Sequence, residues 1–210
     1  MTRAEDVAAA ADLGARYVGV IFAGGPRHQS LDGAKRLLSE VPPSLKRVGV
    51  VGDQTVAEIA DLVRALDLDV VQLHADPDAK RVREVHSASG VETWAVLRIA
   101  GPILPESFGG IVAAANAIVL DARTPGGLGG TGVTLPWGTL ARALEPWRGD
   151  MQLVLAGGLR PENVGEAIAA IEPDVVDVSS GIESAPGIKD HVRMRAFRDA
   201  VQRTGVSDGR

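Results

Sequence analysis

Seven short apolar runs punctuate the chain, their starts 22 to 36 residues apart: Tyr17 to Phe22, Arg47 to Val51, Val70 to Leu73, Trp94 to Arg98, Ala117 to Asp121, Leu153 to Ala156 and Val175 to Val178. Runs this short, continuous and rich in branched residues read as strands buried on both faces, the signature of a parallel sheet. Helix-patterned segments fill the intervals, at Asp32 to Glu40, Thr55 to Leu66, Asp78 to Ala88, Pro105 to Ala115, Trp137 to Leu144 and Pro161 to Ala170, and His191 to Arg203 follows the last run. Thr55, Asp78 behind Pro77, and Pro161 before Glu162 mark helix starts. Strand and helix alternating at this period predict a single α/β domain over residues 1–210, a (β/α)8 TIM barrel.

The chain opens on a helix, Ala4 to Leu13, with Gly14 as its natural stop. Counting back one unit of about 26 residues from Tyr17 puts a first strand roughly ten residues ahead of Met1. The expectation is therefore a barrel with its first strand missing, seven parallel strands visible and two edges open.

With 45% hydrophobic but only 3% aromatic residues, the core must be built from Val, Ile, Leu and Ala. A net charge of -5 and the lack of a long Lys/Arg run argue against nucleic acid. No apolar stretch approaches the roughly 18 residues of a membrane span, and no signal peptide is recognisable, so the expected compartment is cytoplasmic. Zero cysteines exclude disulfides and thiolate metal sites, and His28, His74, His86 and His191 lack paired ligand spacing, so neither metal nor cofactor is expected. The predicted partner is a small phosphorylated molecule, bound by a monomer or homodimer.

Chemistry is expected where the strands stop. Leu153 to Ala156 runs into Gly157 and Gly158, and Val175 to Val178 runs into Ser179, Ser180 and Gly181. Two such ends on neighbouring strands, with main-chain N–H groups unobstructed by side chains, match the phosphate site that follows the last two strands of a barrel. Asp121 ends its strand at the same face, either as a general acid or as a cap for the loop or helix behind it. Arg27, behind Ala23-Gly24-Gly25-Pro26, either clamps a carboxylate over the mouth or stays in a surface loop. His74 ends another strand as a neutral histidine satisfied by its neighbours or as a proton carrier. Lys189 either faces the phosphate or leads into the last helix, the latter reading being preferred, while His28, His86 and His191 read as surface residues and Trp94, Trp137 and Trp147 as packing groups. The glycine-rich segment 124–132 is either a lid or a linker.

Taken in order, Thr2 to Asp6, Gly19 to Phe22 with Pro26-Arg27, Lys46 to Val50, Val70 to His74, Leu120-Asp121 with Gly129 to Gly132, Leu155 to Leu159, Pro161 to Val164 and Asp177 to Glu183 resemble the phosphoribosylanthranilate isomerase family of tryptophan biosynthesis. The resemblance covers nearly the whole chain. It implies a cofactor-free Amadori rearrangement of N-(5-phosphoribosyl)anthranilate, with Asp121 protonating the ribose ring oxygen, Arg27 holding the anthranilate carboxylate, and Gly157, Gly158, Ser180 and Gly181 binding phosphate. His74 and Gly130 fall on the family's substrate-binding motifs. In that family the base is a cysteine ending strand one, in a Lys-Ile-Cys-Gly stretch; alignment puts it two residues ahead of Met1, so these residues are expected to bind substrate analogues weakly and turn over little. Gln29 and Ala75 depart from the family pattern, which has a β-branched residue and a glycine there.

The competing readings are the histidine-pathway isomerase, which needs an aspartate on strand one, a ribulose-phosphate epimerase, which needs a histidine metal site, and a non-catalytic phosphate-binding barrel.

Overall fold

The computed structural model describes residues 1–99, 101, 103–122, 137–149 and 151–205. One parallel sheet runs in chain order through β1 (Tyr17–Ile21), β2 (Lys46–Val51), β3 (Val70–Leu73), β4 (Glu92–Ile99), β5 (Ala117–Ala122), β6 (Gln152–Ala156) and β7 (Val175–Val176). Each predicted strand forms, with ends shifted by at most two residues. A short antiparallel hairpin, β8 (Glu183–Ala185) and β9 (Ile188–Lys189), follows the sheet. The helices are α1 (Ala4–Asp12), α2 (Leu31–Leu38), α3 (Val56–Leu66), α4 (Ala79–Ser89), α5 (Phe108–Val112), α6 (Trp137–Leu144), α7 (Val164–Ile171) and α8 (His191–Gln202).

Local chemistry sets most helix starts. Thr55 and Glu58 cap α3 reciprocally, Glu58 N–H donating to Thr55 Oγ1 at 3.2 Å and Thr55 N–H to Glu58 Oε2 at 2.7 Å. Asp78 caps α4 by accepting from Arg81 N–H at 2.7 Å. Two predicted helices start later than expected. The segment from Pro105 keeps only the five-residue α5, which holds two poor helix formers, Gly109 and Gly110; a side chain at Gly109 would meet the Trp147 ring. Pro161 begins a turn, with α7 starting at Val164, because the Asn163 side chain is committed to the preceding loop.

The period of two along each strand separates two cores. Val18, Val20, Val71, Leu73, Ile118, Leu120, Leu153 and Leu155 pack outward against the helices. Val48, Val50, Val70, Trp94, Val96, Ala117, Val119, Val154 and Ala156 face the opposite way, joined by Tyr17, Ile21 and Val175. The Tyr17 and Trp94 rings meet edge to face with centroids 4.9 Å apart, although they stand on β1 and β4. A flat sheet would hold those strands about 14 Å apart, so the sheet is curled and the second core fills its lumen.

β1 and β7 end the sheet, and among the described residues they are not hydrogen-bonded to each other. Residues 1–3 lie between the two sides: Met1 N donates to Gly19 O, the Thr2 hydroxyl donates to Gly187 O, and Arg3 Nη2 donates to Lys189 O at 3.2 Å. Beneath them Asp6, fully buried, accepts from Arg3 at 2.6 and 3.0 Å and from Lys189 N–H at 3.3 Å, and pairs with His191 Nε2 at 2.9 Å. Burial pushes the Asp6 carboxyl up, but Arg3, His191 and the Lys189 N–H outweigh it and hold it below the usual carboxylate range. His191 is therefore no ordinary surface residue: it ties α8 to α1. Among the described residues, no helix is long and apolar enough to cross a membrane.

Candidate active site

Strand parity decides what faces the lumen at the C-terminal ends of the strands. On β5, Ala117 and Val119 lie in the inner core, so Asp121 is the next inward position, half-buried at the mouth. Arg98 pairs in register with Asp121 on one side and Ala156 does so on the other. Leu155 pairs with Val176, and Asp177 N–H donates to Leu155 O at 2.8 Å, which carries the row on to Asp177. His74 follows Leu73 on the inward parity of β3, its N–H donating to Val51 O at 2.8 Å. Its Nδ1 is buried and has no hydrogen-bond partner among the described residues, so the expectation of a histidine satisfied by its neighbours does not hold.

Asp177 is exposed at the mouth, although protein packs close around its carboxyl. Desolvation pushes its carboxyl above the usual carboxylate range and the charge of Asp121 pushes the same way, while Lys189 and His74 pull it back without cancelling the rise. Arg98 is bound by Asp76, which accepts from Arg98 N–H at 3.0 Å and from its Nε at 2.5 Å, while the charge of Asp121 also acts on it. Arg98 and Asp177 were not expected at the site from sequence. The available signal was parity: each falls two residues after an inward-facing core position.

The glycine-bearing loops after β6 and β7 meet main chain to main chain. A Cβ on Gly181 would stand 1.8 Å from Leu159 O, so only glycine fits where these loops cross. Gly157 and Gly158 both take positive φ, +85° and +65°, turning the chain at the strand end. Asn163 secures that turn, its Oδ1 accepting from Arg160 N–H at 2.9 Å and its Nδ2 donating to Gly158 O at 3.1 Å. Ser180 begins the 3-10 turn Ser180–Ile182 that carries Gly181.

Arg27 stands in the loop after β1, which folds back so that Gln29 N–H donates to Ile21 O at 2.8 Å. Its guanidinium is engaged by Glu183, with Nε at 2.9 and 3.1 Å from the two carboxylate oxygens and Nη2 at 2.6 Å from Oε2. Lys189 does more than lead into the last helix: it is buried, its ammonium donating to Ser179 O at 2.9 Å and Glu183 Oε1 at 3.1 Å. Gly130 and the glycine-rich segment 124–132 lie outside the described residues. Among the described residues no cluster of three or more His, Asp or Glu is arranged to hold a metal. A cavity of about 440 Å³ lies between the loops after β2 and β3, lined by Gly52, Gln54, Thr55, Ala75 and Arg81. None of the predicted site residues lines it, so the strand-end mouth remains the better candidate.

Comparison with known proteins agrees with this arrangement. The profile of the N-(5'phosphoribosyl)anthranilate (PRA) isomerase family matches residues 1–200. N-(5'-phosphoribosyl)anthranilate isomerase of Paracoccus denitrificans is 38% identical over 203 residues, covering 94% of this chain and 92% of that protein. The crystal structure of phosphoribosyl anthranilate isomerase from Thermotoga maritima superposes with a TM-score of 0.82 at 32% identity, over 96% of this chain and 95% of that one. A phosphoribosyl anthranilate isomerase in complex with reduced 1-(o-carboxyphenylamino)-1-deoxyribulose 5-phosphate superposes at 0.79 with 29% identity, over the same shares of the two chains. With its curled parallel sheet, its inward Asp121 and its crossed glycine loops, the chain belongs to the N-(5'-phosphoribosyl)anthranilate isomerase family.

Proposed function

We propose that the strand-end mouth carries out the Amadori rearrangement of N-(5-phosphoribosyl)anthranilate to 1-(2-carboxyphenylamino)-1-deoxyribulose 5-phosphate in tryptophan biosynthesis. Asp121 protonates the ribose ring oxygen as the C1–O bond breaks, and the anilino nitrogen lone pair forms the iminium. That positive charge acidifies the C2 proton, and its removal gives an enolamine that tautomerises to the ketose. No cofactor enters this sequence. Gly157, Gly158, Ser180 and Gly181 hold the phosphate, Arg27 holds the anthranilate carboxylate, and His74 and Gly130 contact substrate.

The observation that carries this reading is the main-chain crossing of the two glycine loops at Gly181 and Leu159, at the ends of the two strands that follow the one bearing Asp121; strand-end turns free of side chains are where main-chain N–H groups can hold an anion. Residues 1–210 contain no cysteine, so the C2 proton has no cysteine acceptor among them. The test measures isomerase turnover of the chain as it stands and of the chain with a strand ending in Cys-Gly added ahead of Met1, alongside calorimetry with the reduced product analogue. Analogue binding with turnover in the extended chain supports the reading. Analogue binding without turnover in either form favours a non-catalytic phosphate-binding barrel, and absence of binding refutes both.

A further inference from the structure

A guanidinium offers two flat forks: a side-on edge, made by Nε–H and one Nη2–H, and an end-on edge, made by Nη1–H and the other Nη2–H. In Arg27 the side-on edge is taken by Glu183, at 2.9 Å from Nε to Oε1 and 2.6 Å from Nη2 to Oε2. No described residue hydrogen-bonds Nη1. Glu183 is itself almost wholly buried, with 4% of its side chain exposed, and it also accepts from Lys189 Nζ, whose side chain is 6% exposed. Two cations thus share one carboxylate, so these three side chains together carry one net positive charge, with Asp177 acting on Lys189 from outside the trio. Were Lys189 absent, Arg27 and Glu183 would neutralise each other and offer an anion little attraction.

We propose that Glu183 is a positioning residue for substrate carboxylate: it clamps the side-on edge of Arg27 so that the end-on edge is presented to the carboxyphenyl group. Lys189 supplies the charge that keeps this arrangement electropositive. Its second bond, to Ser179 O at 2.9 Å, anchors the main chain one residue ahead of Ser180, so the same buried cluster fixes the carboxylate end and the phosphate end of the pocket relative to each other. A free arginine would have to order its long side chain on binding; one already clamped does not, and a second planar carboxylate can dock bidentately.

This inference rests on Arg27 gripping the carboxylate, and the test separates the two. Calorimetry compares the reduced product analogue with the same molecule carrying phenyl in place of 2-carboxyphenyl. The wild-type chain should prefer the carboxylated form by about tenfold or more, the scale of one charge-assisted bidentate contact. Glu183→Gln should bring that preference close to parity while affinity for the phenyl analogue stays within about twofold. Arg27→Met should abolish the preference, and Glu183→Gln added to it should change nothing further. Glu183→Asp, which keeps the charge but retracts it by one methylene, should also lose preference and serves if the glutamine variant does not fold. A wild-type preference that survives in the folded Glu183 variants overturns the positioning role alone, as does an equal loss for both analogues. Equal binding of the two analogues by the wild-type chain overturns the Arg27 reading and this inference with it.

Discussion

Asp121 and Asp177 flank Ala156 in one row of the sheet, both on the inward parity of their strands. The strands that carry them are two apart, so their backbones are about 10 Å from each other and only a methyl group stands between. Alternate strands contribute to the same layer of a barrel, which turns the two carboxyls toward a common space.

If Asp121 is the acid, Asp121→Asn should lower kcat by about 10²- to 10⁴-fold, the usual worth of one acid–base group, in the form of the protein that turns over. The Kd for the reduced product analogue should change by no more than a few-fold, since the amide keeps shape and polarity. Loss of analogue binding equal to the loss of rate would count against a catalytic role.

Asp177 should make stability fall with rising pH. Its folded-state pKa is raised, so its contribution is fully present below the unfolded carboxylate value near 3.9 and is lost as pH climbs through the higher folded value. Asp177→Asn should therefore be nearly neutral in acid and stabilising at pH 7 to 8. Because Asp177 is exposed to water its charge is screened, so the gain should be about 1 kcal/mol, or roughly 2–4 °C in Tm for a chain of this size. Thermal melts of both proteins across pH 4 to 8 check the sign.

Asp6 should act in the opposite direction. Its carboxyl is held low by Arg3, His191 and the Lys189 N–H despite burial, so its contribution is present above the unfolded value and lost as pH falls through the folded one. Asp6→Ala should cost about 3–5 kcal/mol at neutral pH, because it strands the partners of a fully buried carboxylate. Urea unfolding at pH 7 and at about pH 2 to 3, below the unfolded carboxylate value, should show the penalty shrinking in acid.

Gly181→Ala should disrupt the loop crossing, since its Cβ would fall 1.8 Å from a carbonyl oxygen of the main chain and no rotamer can relieve the clash. We expect a stability loss of about 1–3 kcal/mol and weakened binding of inorganic phosphate. Ser180→Ala, which adds no bulk, should weaken phosphate with little change in Tm.

Strand and helix positions came directly from the sequence because they rest on local periodicity: short runs apolar on every residue, then segments at helical spacing. The prediction overran at two helix starts: α5, a short helix that holds two glycines, and α7, where Asn163 bonds back to Arg160 and Gly158 in its own loop instead of capping the helix. The strand ends bearing Asp121, Gly157 and Gly181 were recognisable for the same local reason.

Partnership could not be read in this way. Arg27 and Glu183 are separated by 156 residues, and Asp6 and His191 by 185, so their pairing depends on the sheet curling until its first and last strands face each other. Sequence determined which residues would stand at the ends of parallel strands, since alternation and chain order are local properties. Tertiary structure alone decided which of those charges neutralise one another and which edge of Arg27 remains open, because an ionic contact between distant segments is created by closure of the fold and leaves no periodic trace in the chain.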